Sequence, residues 1–187
     1  MKKSLKPSTM FFPMPVLIIG SYDENGKPGV MNAAWGGVFD EKKVILCLSD
    51  DHQSSINIDK KKCFTIAFAD EKNVAAADYV GIESGTRVAI KFEKSGLHAV
   101  KGEVVDAPIF EEFPLSIECK VLDIMREEGT FHIVGEIVNV QVDEEFVEKG
   151  KVNIDKMRLL SFDTEKLTYR VIGESVAKAW GAGLKLK

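Results

Sequence analysis

The feature that most constrains the fold is a strict alternation of apolar and polar residues in the second half of the chain. Apolar residues occupy every second position from Leu115 to Val121 and again from Val138 to Val142. This period of two is typical of strands with one buried face. The turn Glu127-Glu128-Gly129-Thr130 lies between them, and the second strand runs from Phe131 to Val142. The pattern therefore predicts a long antiparallel hairpin.

The first half of the chain predicts shorter strands and two short helices. An Asn25-Gly26 dipeptide, which favours a type I′ turn, joins a strand at Val16–Tyr22 to a return strand at Gly29–Phe39. Further strands are predicted at Val44–Ser49, Cys63–Ala69, Arg158–Phe162 and Leu167–Val171, with a weak one around Lys91-Phe92. One helix is capped by Ser54 or Ser55, and another, Asn73–Val80, ends at Gly81. Six or more antiparallel strands predict a closed β-barrel, because closure removes exposed strand edges.

The composition favours one domain spanning residues 1–187 and argues against several classes of protein. The 25 Lys and Arg against 29 Asp and Glu give a net charge of −4, unlike a basic nucleic-acid binder. The three cysteines form no CxxC pair, which indicates free thiols in a reducing compartment and no zinc site. No apolar stretch approaches the ~20 residues of a membrane helix, and the N-terminus lacks a signal-peptide pattern. We therefore expect a cytoplasmic protein.

The chain lacks the common motifs of nucleotide-binding and hydrolytic enzymes. It contains no G-x-G-x-x-G after a strand, no G-x-x-x-x-G-K-[ST], no G-x-S-x-G and no H-E-x-x-H. Dinucleotide-binding folds, P-loop proteins, α/β-hydrolases and zinc proteases thus lose their usual sequence support.

The segment from Ser49 to Ile56 is a candidate anion site, because a predicted strand ends and a predicted helix begins there among hydroxyls and an imidazole. A helix N-terminus offers free N–H groups and a partial positive charge. Serine also caps helices that bind no ligand, and Asp50-Asp51 would repel an anion unless Lys91 offsets their charge. Residues 32–35 on a neighbouring strand would suit a flat ring.

Seven stretches match a known family in their order and spacing. They are Met31–Trp35, Ser49–Ile56, Ala77–Gly81 leading to Ser84-Gly85, Lys91-Phe92, Asp106–Cys119, Gly135–Val138 and Val142–Glu144. Through them the chain resembles the flavin reductase-like, FMN-binding split-barrel family, and most closely its flavoredoxin branch, along nearly its whole length.

This resemblance implies an antiparallel split β-barrel of Greek-key type with a few short helices. It also implies a homodimer that holds FMN non-covalently near the subunit interface. Carried over by position, Asn32, Ala33, Ala34 and Trp35 line the isoalloxazine, Ser49, His52, Ser54 and Ser55 hold the ribityl phosphate, Lys91 approaches it, and Ser84 and Gly85 are weaker matches. No metal ion and no catalytic side chain is implied.

Two functions remain open at this point. The first is a flavin oxidoreductase or flavoredoxin-like electron carrier, which passes electrons from NAD(P)H or a redox partner protein through FMN to an acceptor such as a small molecule. The second is a non-catalytic split barrel that binds a phosphorylated ligand. The donor and the acceptor cannot be read from the residues, because the chain has no dinucleotide motif of its own.

Overall fold

A seven-stranded antiparallel sheet forms the centre of the computed structural model, which describes residues 1–186 of the chain. The strands are β1 (Met14–Pro15), β2 (Leu17–Tyr22), β3 (Pro28–Ala33), β4 (Gly36–Asp40), β5 (Lys43–Ser49), β6 (Cys63–Phe68), β7 (Ala99–Lys101), β8 (Pro108–Phe110), β9 (Leu115–Glu127), β10 (Thr130–Val142), β11 (Val147–Glu148), β12 (Lys151–Val152), β13 (Leu160–Asp163) and β14 (Thr168–Val171). The helices are α1 (Gln53–Lys61), α2 (Val74–Ile82), α3 (Lys91–Ser95) and α4 (Ile154–Met157), with 3-10 turns at Glu144–Phe146 and Ala182–Leu186.

The order of the strands requires the sheet to curl into a barrel. The order is β3-β2-β6-β9-β10-β5-β4, so the two edge strands, β3 and β4, are consecutive in the chain. Seven strands in a flat sheet would separate the edges by about 29 Å. The connection from Ala33 to Gly36 spans at most about 10 Å. The sheet therefore bends until its edges approach each other, which confirms the prediction of a mainly β, antiparallel barrel.

Strand β2 is buried on both faces, because one face lines the barrel and the other is covered by helix α2. Leu17 and Ile19 belong to the barrel core, whereas Ile18 packs in a second apolar cluster with Ala77 and Val80 of α2. A strand covered on both sides reads as a continuous apolar run. This explains why residues 16–19 show no alternation, and it places α2 firmly against the barrel.

The hairpin of β9 and β10 confirms the prediction from the alternating residues, but one expectation for β9 is wrong. Ser116 and Glu118, predicted on a solvated face, are both buried. The segment before β8 folds over this face, and the backbone N–H groups of Val104 and Val105 each donate to the Glu118 carboxylate at 2.8 Å. The Asn139 side chain donates to it at 2.7 Å. The charged residue is therefore buried with its hydrogen bonds satisfied.

The hairpin of β2 and β3 is also confirmed, although its turn and its return strand differ from the prediction. Only Gly26 of the Asn-Gly pair has a positive φ, +78°, so the turn is not type I′. The Asp23 carboxylate instead accepts the N–H groups of Asn25 and Lys27, each at 2.8 Å. The predicted return strand over 29–39 breaks at residues 34–35, where the chain crosses from one sheet edge to the other.

Three predictions for the helical segments are corrected. Lys91-Phe92 does not form a strand but begins α3. Helix α2 continues through Gly81 to Ile82, and a Cβ on Gly81 would lie 3.1 Å from Cβ of Asn32, so this glycine allows close packing and does not end the helix. The residue that caps α1 is His52, with Ser54 and Ser55 inside the first turn. Among residues 1–186, no helix is both long enough and apolar enough to cross a membrane.

Candidate functional site

A cavity of about 380 Å³ lies between β3, the start of α1, the end of α2 and the loop that leads into α3. Its size is within the range of small-molecule sites. Six of the residues predicted for the site line it: Asn32, His52, Ser54, Ser84, Gly85 and Lys91. The fold thus brings these six residues, which are distant in sequence, to one place.

The N-terminus of α1 opens onto this cavity. His52 caps the helix in an extended conformation, and its side chain makes no capping hydrogen bond. The first intrahelical bond is from the Ile56 N–H to the His52 carbonyl at 3.1 Å, so the N–H groups of residues 53–55 have no partner within the helix. No acidic residue stands in the first turn. The cavity therefore receives free donors and the positive end of the helix dipole.

The two serines of the first turn have different roles. Ser54 is buried and lines the cavity. The Ser55 hydroxyl is fully buried and donates to the Ser49 carbonyl at 2.7 Å, which ties the end of β5 to the start of α1. Ser49 and Ser55 are thus not brought to the cavity wall, and the hydroxyl available there is that of Ser54.

Lys91 supplies a positive charge to the same cavity. The side chain is the first of α3 and is only 7% exposed. Among residues 1–186, no acceptor or carboxylate lies within hydrogen-bonding or ion-pairing distance of its ammonium group. Burial lowers the pKa of Lys91 to about 8, a shift that the charge of Glu83 only partly opposes. A partly desolvated ammonium without a protein partner favours an anion beside it.

Two more cationic side chains, neither of them predicted from the sequence, line the cavity. Lys27 forms an ion pair with Glu93 at 3.1 Å and donates to the Ala89 carbonyl. Arg87 is exposed and has no ion-pair partner within the described part of the chain. A basic residue two positions after Gly85, in a loop that follows a helix, is the signal that could have indicated Arg87. Asp50 and Asp51 do not line the cavity, whereas Asp23 and Glu83 do, beside the cations Lys27, Arg87 and Lys91.

Of residues 32–35, only Asn32 lines the cavity. The Asn32 side chain donates to the Ala77 carbonyl at 2.9 Å and is held against α2. Ala33 points into the barrel core, and Ala34 is half-buried outside the cavity wall. Trp35 is 53% exposed at the break between β3 and β4, where its carbonyl accepts the Cys47 N–H at 2.8 Å. The strand thus extends from the cavity towards an open surface beside Trp35.

An antiparallel barrel with a basic, helix-capped cavity at its side is the architecture that these observations define. The chain belongs to the flavin reductase like domain family, whose model matches residues 9–172. It is similar to the solved structure of a flavoredoxin of Desulfovibrio vulgaris (Miyazaki F), with 35% identity and a TM-score of 0.92 over 98% of this chain and 100% of that one. A flavoredoxin from Methanosarcina acetivorans is 25% identical, with a TM-score of 0.88 over the full length of both chains.

A curated relative is more distant and longer. An uncharacterized protein of Aeropyrum pernix is 24% identical over 135 residues, which are 71% of this chain and 51% of that protein. The chain thus spans about half the length of this relative. The family and the flavoredoxin structures confirm the predicted resemblance and the split-barrel fold.

Proposed function

We propose that this chain binds FMN non-covalently in the cavity and acts as a flavin-dependent oxidoreductase or electron carrier. Electrons would come from NAD(P)H or from a redox partner protein and pass to an acceptor. The observation that carries the proposal is Lys91, whose largely buried side chain makes no hydrogen bond or ion pair among residues 1–186 and lines the same cavity as the free N–H groups at the start of α1.

The donors at this end of the cavity fit the terminal phosphate of FMN. The free N–H groups of residues 53–55 and the Ser54 hydroxyl can donate to phosphate oxygens, while Lys91 and Arg87 balance its charge. Riboflavin carries no phosphate and would leave the Lys91 ammonium unpaired. The chemistry of the site therefore favours FMN over riboflavin.

The protein contributes binding and orientation, and the flavin supplies the redox chemistry when bound. Helices α1 and α3 would hold its phosphate end through the N–H groups of α1 and through Lys91. Asn32, held by its hydrogen bond to Ala77, stands where the cavity meets the strand that leads to Trp35. We assign the flavin ring to this strand, with Ala34 and Trp35 on its open side. No side chain of the cavity is assigned as an acid or base.

Steady-state oxidation of NADH and NADPH by the FMN-loaded protein tests the electron donor. Turnover with either nucleotide supports a nicotinamide-dependent reductase. No turnover with either, together with reduction by a redox protein, supports an electron carrier. A bound flavin that no donor reduces at a useful rate contradicts both and supports the alternative, a non-catalytic barrel that binds a phosphorylated ligand.

We further propose a homodimer, with the flavin near its interface, located in the cytoplasm. Large apolar side chains stand exposed around β4, namely Trp35 at 53%, Val38 at 82% and Phe39 at 53%, and exposed apolar side chains of this size favour a partner. The three cysteines are free, as expected in a reducing compartment. Light scattering at micromolar concentration tests the dimer, and a monomer mass contradicts it.

A further inference from the structure

Strand β10 lies between β5 and β9, and this arrangement brings a thiol, an imidazole and a carboxylate side by side on the outside of the barrel. Cys47 lies opposite His132 in the register of the two strands. The distance from Cys47 Sγ to His132 Nδ1 is 3.3 Å. The other ring nitrogen, Nε2, lies 3.3 Å from a carboxylate oxygen of Glu127, the last residue of β9. The three groups thus follow one another at contact distance.

This order is that of an activated nucleophile, in which a base takes the proton of the nucleophile and a third group orients the base. His132 Nε2 is buried and forms no hydrogen bond within residues 1–186, so its 3.3 Å approach to Glu127 is a charge contact without hydrogen-bonding geometry. In the tautomer of the neutral imidazole that carries its proton on Nε2, Nδ1 is left to accept from the Cys47 thiol. Transfer of the thiol proton to Nδ1 would then form an imidazolium stabilised by the Glu127 carboxylate.

Cys47 differs from the other two cysteines in its exposure and in its contact with an imidazole. Burial, together with the charge of Glu127, raises the pKa of Cys47, so the thiol needs a base to react at neutral pH. Cys63 is buried with its sulfur 3.5 Å from the Asp106 carbonyl oxygen. Cys119 is fully buried, and burial raises its pKa to about 12. Only Cys47 is both partly exposed and in contact with an imidazole.

The charged side chains around Cys47 and His132 are mainly acidic. Side chains at alternate positions of a strand share a face. The charged side chains on the outer face are Lys43 on β5, Lys120, Asp123 and Glu127 on β9, and Glu136 on β10, with Asp50 just after β5. Lys43, four residues from Cys47, is paired with Asp40 at 3.2 Å. Residues 33–38, beside β5, carry no charge. A cationic reagent is therefore favoured here over an anionic one.

We propose that Cys47 is a thiol–disulfide exchange site, activated by His132 and Glu127, that accepts small cationic disulfides. The Cys47 sulfur attacks one sulfur of the disulfide, a new S–S bond forms to Cys47, and the S–S bond of the reagent breaks. The thiol proton passes to His132 Nδ1 and from there to the departing thiolate. No external oxidant is needed, because the disulfide is reduced as Cys47 is oxidised.

The test is the rate of mixed-disulfide formation at pH 7 with cystamine, which is cationic, and with glutathione disulfide, which is anionic. Mass spectrometry of the intact protein and of its peptides locates the adduct. We expect one adduct, on Cys47. The rate of each disulfide with the folded protein is divided by its rate with the urea-unfolded protein. This normalised rate should be on the order of tenfold higher for cystamine than for glutathione disulfide.

His132→Gln removes the base and should slow the reaction at pH 7 on the order of 10- to 100-fold. The difference in rate between the unsubstituted protein and His132→Gln should narrow at alkaline pH, where the thiol ionises without a base. His98→Gln is the matched control, since His98 contacts Glu112 and no cysteine, and it should leave the rate unchanged. Cys63→Ala should keep the adduct and Cys47→Ala should lose it.

Three results would overturn the proposal: an adduct confined to Cys63 or Cys119, no adduct on the folded protein, or an unchanged rate at pH 7 in a folded His132→Gln variant. Equal normalised rates for the two disulfides would overturn the preference for cations. Circular dichroism of each variant separates a folding defect from a loss of reactivity. Glu127→Gln leaves the thiol and the imidazole in place and should also slow the reaction.

Discussion

Replacing Lys91 by methionine should stabilise the protein without ligand and weaken its binding of FMN. Burial lowers the pKa of Lys91 from 10.5 to about 8. At 1.36 kcal/mol per pKa unit, the buried charge costs the folded state about 3 kcal/mol at neutral pH. Methionine fills a similar volume without a charge, so K91M should raise the free energy of unfolding by up to that amount at pH 7. Urea unfolding of the ligand-free protein measures it.

The pH dependence of this stabilisation has a definite sign. Because the folded pKa is lowered, the cost is fully present below about pH 8, where Lys91 is charged in both states. It declines as the pH rises from about 8 to 10.5, where only the unfolded state holds the proton, and it is absent above that range. The unfolding free energies of the unsubstituted protein and of K91M should therefore converge at alkaline pH.

The effect on ligand binding should be opposite and specific for the phosphate. A charge-assisted hydrogen bond contributes roughly 1.5–3 kcal/mol, so K91M should raise the Kd for FMN by roughly 10- to 150-fold. The Kd for riboflavin should change little, because riboflavin lacks the phosphate. Quenching of flavin fluorescence measures both. Equal losses for the two flavins, or a less stable ligand-free variant at pH 7, would refute the assignment of Lys91.

Three further predictions concern other parts of the fold. Ser54→Ala should weaken FMN more than riboflavin by fluorescence titration, whereas Ser55→Ala should mainly lower the unfolding temperature, because its hydroxyl joins β5 to α1. Burial raises the pKa of Glu118, but its hydrogen bonds from Asn139 and from backbone N–H groups outweigh that effect and hold the pKa below its usual value. Glu118→Gln should therefore destabilise the protein at neutral pH, and the difference in unfolding free energy should narrow below about pH 4. Gly20→Ala should lower the free energy of unfolding by roughly 1–3 kcal/mol, because its Cβ would lie 2.5 Å from a carbonyl oxygen at the start of β8. Gly37→Ala, whose Cβ would have nothing within 4 Å, should lower it far less. Urea unfolding compares the two variants.

The strands were predictable where one face or both faces are buried by the barrel itself. The alternation from Leu115 to Val121 and the apolar run in β2 follow directly from that burial. Ser116 and Glu118 escaped prediction because the segment that covers them comes from residues 102–107, whose position depends on tertiary packing. The break at Ala34-Trp35 has a similar cause, since it marks the crossing between the two sheet edges.

The site was predictable in its parts but not in its geometry. The strand-to-helix segment at 49–56 indicated an anion site, and α1 does begin there with free N–H groups. The sequence could not show which serine faces the cavity, because Ser54 and Ser55 are adjacent residues of one helical turn. The burial of Lys91 was equally hidden, since a polar residue near a glycine turn is usually solvated. Its place at the start of α3 buries it.

The most direct test of the central claim is the visible absorbance spectrum of the purified protein before and after FMN is added. Any bound chromophore is then released by denaturation and identified. We predict a yellow protein that releases FMN, or a colourless one that takes up added FMN with a shifted flavin spectrum. A folded, colourless protein that takes up no FMN would contradict the assignment of the cavity as a flavin site.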